Sequence, residues 1–91
     1  MDLLSNASAT GSQAIWPGGE GVFEAAGTFS GATVTLQRLG PDGSTWYAVG
    51  TDTTLTAAGG GYFVLPPGPI RAAVSGGPPS GMYATANRVR Q

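Results

Sequence analysis

Cysteine, histidine and lysine are all missing from this sequence, and each absence removes a class of function. Without cysteine there are no disulfides, no thiolate metal sites and no thiol nucleophile. The compartment stays open, because cysteine-free proteins occur on both sides of a membrane. Without histidine or lysine, Ser-His-Asp and Cys-His catalysis, Schiff-base chemistry and histidine-zinc sites cannot be assembled within one chain. Charge is scarce too: 10% of the residues are charged, against about 25% in an ordinary soluble domain. The only cations among the side chains are arginines at 38, 71, 88 and 90, and the formal net charge is -1. The basic footprint of a nucleic-acid binder is therefore absent. Long apolar runs are missing as well, the longest being about five residues against the roughly 20 that a membrane-spanning helix needs. The first residues, MDLL followed by Ser, Asn, Ala and Thr, have no basic start with an apolar stretch behind it, so no signal peptide is expected. Neither nucleic acid nor membrane is expected as a partner.

The sequence is rich in Gly and β-favouring residues. Gly 16 and Pro 7 make up about a quarter of its 91 residues, and their clusters fall between short apolar runs at intervals of roughly 8 to 12 residues, the rhythm of sandwiches and small barrels. No segment carries a helical i, i+3, i+4, i+7 stripe of useful length. Residues 14–16 (AIW), 21–26 (GVFEAA), 32–39 (ATVTLQRL), 45–49 (TWYAV), 53–57 (TTLTA), 62–65 (YFVL), 70–75 (IRAAVS) and 82–89 (MYATANRV) read as strands. Alternation puts Phe23 and Ala25 on one face, and turns Val34 and Leu36 inward with Thr33, Thr35 and Gln37 outward. Gly40-Pro41-Asp42-Gly43 supplies a preset φ, an Asp able to cap its own backbone and a Gly free to take φ > 0. The hairpin it closes should set Trp46 or Tyr47 beside Val34 and Leu36. The expected fold is all-β: a small seven- to eight-stranded antiparallel β-sandwich or jelly-roll-like barrel, with Trp16, Phe23, Trp46, Phe63 and Ile70 as core anchors. Residues 1–12 (MDLLSNASATGS) read as a flexible N-terminal arm, since Leu3 and Leu4 are their only sizeable packing groups after the first methionine. Residues 13–91 form the single β domain.

Carboxylates are the only catalytic groups left to consider. Glu20 and Glu24, four apart on a strand, stand roughly 13 Å from each other, beyond the roughly 5 to 9.5 Å of the two glycosidase geometries. The Asp-Thr/Ser-Gly triplet of a dimeric aspartic protease is absent, and neither Asp42 nor Asp52 has a second acid close enough in sequence to start a calcium site. No enzyme activity and no cofactor are expected. The rings of Trp16, Trp46, Tyr47, Tyr62 and Tyr83 could form a platform for sugars, but core packing is the expectation for each one.

Residues 31–37 (GATVTLQ), 40–46 (GPDGSTW), 62–76 (YFVLPPGPIRAAVSG) and 79–83 (PSGMY) resemble the small head-decoration, or cement, proteins of tailed bacteriophages. These stretches cover about half the chain and carry a pattern of strands and turns. The resemblance implies a structural virion protein on the outer surface of the capsid, bound to the major capsid protein and stabilising the head, often as a homotrimer. It implies no catalytic or metal residues. The charge-poor surface suits close protein contact, and Leu3, Leu4, Arg88 and Arg90 are the residues expected to meet the partner. A carbohydrate-binding β-sandwich module of a phage tail or fibre is the alternative.

Overall fold

A computed structural model describes residues 1–77 and 79–90, with the side chains of Thr51 and Arg90 outside that description. Among the described residues nine strands run in chain order: β1 (Asp2–Ala7), β2 (Ala14–Trp16), β3 (Gly19–Thr28), β4 (Thr33–Leu39), β5 (Trp46–Ala48), β6 (Thr54–Leu55), β7 (Gly59–Leu65), β8 (Gly68–Ser75) and β9 (Ser80–Arg90). They make two antiparallel sheets: sheet I in the order β1-β9-β3-β7, and sheet II in the order β2-β8-β4-β5, with β6 also paired to β4. The all-β sandwich expected from the Gly/Pro rhythm is what forms. A radius of gyration of 12.0 Å matches the roughly 12 Å of one compact domain of this length.

Alternation builds the core between the sheets. Phe23 and Ala25 of β3, Phe63 and Leu65 of β7, and Met82, Ala84 and Ala86 of β9 turn inward from sheet I. They meet Trp16, Val34, Leu36, Ile70 and Ala72 of sheet II. Large residues face small ones, so the layers interdigitate. The Trp16 and Phe63 rings are tilted at 55° with centroids 4.8 Å apart, within the range of favourable aromatic pairs. Gly21 permits this, because a Cβ there would lie 2.6 Å from the Trp16 ring.

The expected flexible arm over residues 1–12 is corrected. Residues 2–7 are strand β1, paired antiparallel with β9, and Leu3 and Leu4 are both buried in the core. Two consecutive residues can both face inward because the β1–β9 register shifts between Asp2 and Leu4, as a bulge allows. Asn6 then takes φ 51°, a left-handed conformation that Asn tolerates. The chain crosses to sheet II, where Gly11 N donates to Ala72 O at 3.1 Å and Thr10 Oγ1 accepts from Val74 N at 2.9 Å. The N-terminal segment thus joins both sheets and closes one side of the sandwich. Small polar residues suffice because the neighbouring strands satisfy their backbone groups.

Two further expectations shift. The 40–45 turn is tight, with Gly40 N donating to Thr45 O, so β5 returns beside the end of β4: Leu39 faces Trp46 and Arg38 faces Tyr47, while Val34 faces Leu55. Trp46 therefore lies half-buried on the outer face, and is not a core anchor. The strand expected over 53–57 is a 3-10 turn at Thr51–Thr53 followed by the two-residue β6.

Asp42 fastens the β4–β5 turn. Its Oδ2 accepts from Thr45 Oγ1 at 2.6 Å, and its Oδ1 accepts from Thr45 N at 3.0 Å and Ser44 N at 3.1 Å. The Thr45 hydroxyl, then the Thr45 and Ser44 amides, hold its pKa at about 2, below the ordinary aspartate value of 3.8. A carboxylate depressed in the folded state stabilises it above its unfolded pKa, and that contribution fades as pH falls through the folded value. Amide exchange in residues 40–46 should accelerate between pH 4 and pH 2 relative to Asp42→Asn, once intrinsic rates are removed. Parallel profiles for the two proteins would contradict this role.

Candidate docking surfaces

Inward alternation on two sheets leaves two outer faces, and their charges differ. All carboxylates lie outside the strands of sheet II: Asp2 is on β1, Glu20 and Glu24 are on β3, and Asp42 and Asp52 are in turns. Sheet II carries Arg38 and Arg71 instead.

The outer face of sheet II presents an apolar row across four strands. Ile15 of β2 pairs with Pro69 of β8, Leu39 lies on β4 one residue beyond the Arg38–Ile70 pair, and Leu39 pairs with Trp46 of β5. Ile15 is 62% exposed, while Pro69, Leu39 and Trp46 are half-buried. Beside the row, Arg71 Nε donates to Gln37 Oε1 at 2.9 Å, and the guanidinium carbon sits 4.4 Å from the centroid of the Trp46 ring. That contact contributes about 0.5–2 kcal/mol depending on solvation and fixes a planar, bidentate donor at the edge of an apolar strip. A recess of about 180 Å³ adjoins the row, with Leu39, Pro41, Pro67 and Pro69 in its walls and Arg38 at its side.

The outer face of sheet I is mixed. Tyr62 and Val64 of β7 are 67% and 72% exposed and stand opposite Val22 and Glu20. Tyr83 of β9 is half exposed and pairs with Ala26. Core packing, expected for every ring of the possible platform, holds for Trp16 and fails for Tyr47, Tyr62 and Tyr83. Strand alternation turns Tyr62 and Tyr83 away from the core as their neighbours Phe63, Met82 and Ala84 enter it.

The four residues expected to meet a partner are not brought together as a surface. Leu3 and Leu4 are core residues, which corrects their assignment to docking. Arg88 is exposed on β9 opposite Gly21, and the side chain of Arg90 lies outside the described residues. Sequence reasoning missed Ile15, Leu39, Pro69 and Arg71. Each lies in or at the border of a segment read as a strand, but the row exists only through cross-strand register. Among the described residues no group of three or more His, Cys, Asp or Glu is placed to hold a metal ion, and no helix is long and apolar enough to cross a membrane. The chain matches no family model, no curated protein and no solved structure.

Proposed function

We propose that this chain is a non-catalytic structural module that docks through the outer face of sheet II. In the form its sequence resemblance implies, it is a trimeric decoration protein seated on the outer surface of a bacteriophage head, against the major capsid protein. The observation that carries the docking reading is the row Ile15–Pro69–Leu39–Trp46, which crosses four strands with no carboxylate in it. An apolar strip of this kind gains by exclusion of water. Arg71, already held flat by Trp46 and Gln37, adds a charge-assisted contact for a carboxylate on the partner. The complementary surface is thus an apolar protein patch edged by an Asp or Glu. A domain of this size, with no disulfide, also gains stability by mass action when it associates.

Cosedimentation with emptied heads of the phage that carries the gene tests this. Ile15→Glu places a carboxylate in the strip and should weaken binding at least about tenfold, since burying an unpaired charge is costly. The exposure of Ile15 on a short edge strand means the melting temperature should hardly change. Val64→Glu, on the opposite sheet, should bind like the wild type. Equal binding by Ile15→Glu and wild type would refute docking through this face.

A further inference from the structure

The face turned away from the proposed docking strip carries a groove of about 520 Å³, bordered by Glu24, Ala26, Gly59, Gly60, Tyr83 and Thr85. We infer that this groove binds a neutral pyranose sugar, with the ring stacked on Tyr83 and its hydroxyls donating to the Glu24 carboxylate.

Register assembles the site. Tyr83 pairs with Ala26, and Thr85 with Glu24; Glu24 in turn pairs with Gly60, and Ala25 with Gly59. Tyr83 and Thr85 thus border the groove on β9, while Ala26 and Gly59 give a low floor on β3 and β7. Two strand spacings by one two-residue repeat make that floor roughly 10 by 7 Å, the footprint of one six-membered sugar ring. The volume falls within the roughly 300–1,000 Å³ of small-ligand sites. Gly60 has a specific part: a Cβ there would lie 2.9 Å from Glu24 Cγ, so its absence lets the Glu24 side chain lie over β7 and leave the space above Ala26 open.

The chemistry selects the ligand. A half-exposed tyrosine ring offers a flat π-face to the C–H face of a pyranose. An ionised carboxylate accepts only, with two oxygens able to take a pair of vicinal hydroxyls, and the Thr85 hydroxyl can donate or accept. The Glu24 carboxylate itself repels an anionic sugar. The groove is on sheet I and the inference does not rest on docking through sheet II.

The test is a ¹H–¹⁵N NMR titration of the free protein with N-acetylchitotriose, maltotriose and galactobiose, and with trigalacturonate as the anionic comparison. At least one neutral sugar should shift the amides of Ala26, Gly59, Gly60 and Thr85, while trigalacturonate should not. Tyr83→Ala and Glu24→Gln should each weaken binding about tenfold, the size expected for loss of one stacking or charge-assisted contact. Tyr83→Phe should retain most of it. Both weakened side chains point to solvent, so amides outside the groove should keep their positions and head cosedimentation should be unchanged. Three neutral sugars that leave these amides unmoved, shifts elsewhere on the molecule, or wild-type binding by Tyr83→Ala and Glu24→Gln would each overturn the inference.

Discussion

A chain lacking residues 1–7 loses its cooperative fold. Leu3 and Leu4 are buried at 5% and 3% exposure, and each such side chain contributes about 1.5–3 kcal/mol by its burial. Their joint loss removes a large part of the roughly 5–15 kcal/mol that separates folded from unfolded states in a small domain. The deletion also uncovers β9, whose edge is paired by β1 from Asp2 to Ala7 and by the Ala86 N to Met1 O hydrogen bond at 2.9 Å. A bare strand edge invites pairing with another chain, so the truncated protein should aggregate as well as melt early. Circular dichroism and light scattering on the two lengths measure both effects. A truncated monomer melting cooperatively within a few degrees of the full chain would mean that β1 is dispensable.

Trp16→Ala should be the most damaging single substitution in the core. Trp16 is 1% exposed, stacks on Phe63 and covers Gly21, so its truncation leaves a large cavity between the sheets. Such changes cost about 3–5 kcal/mol, and at about 4–8 °C per kcal/mol for a domain of this size the melting temperature should fall by at least ~12 °C. Trp16→Phe removes the same N–H but keeps an aromatic ring in the core. The indole Nε1 is buried with no hydrogen-bond partner among the described residues, and an unsatisfied buried donor costs about 1–3 kcal/mol. Removing that N–H while keeping an aromatic ring should offset much of the lost volume, leaving Trp16→Phe well above Trp16→Ala in thermal melts. Equal losses in the two variants would show that the ring retained by Phe recovers none of the packing at this position.

Period-two alternation was readable in the sequence and decided the sandwich: it placed Phe23 with Ala25, and Val34 with Leu36, in the interior where they lie. The Gly40-Pro41-Asp42-Gly43 turn was readable too, down to the Asp that caps it. Register was not. Whether Trp46 meets Leu36 or Leu39 depends on how tightly the turn closes, and that difference of three positions moves Trp46 from the core to the outer face. The role of residues 1–7 was hidden for a related reason. Small polar residues look like an arm by composition, yet an edge strand needs mainly backbone partners, and the register shift that buries both Leu3 and Leu4 leaves no periodic trace. The docking row and the groove are products of cross-strand pairing, so neither Ile15 nor Glu24 could be distinguished in the sequence from any other solvent-facing residue.

The most direct measurement of the central claim is a reconstruction, at a resolution that separates strands, of bacteriophage heads, the shell the proposal names, incubated with the protein. The account predicts density for the domain with sheet II against the shell, Ile15 and Trp46 at the contact, an acidic capsid side chain on Arg71, and sheet I with Tyr83 facing outward around a local three-fold axis. Heads carrying no density for the protein, or a domain seated on sheet I, would contradict it.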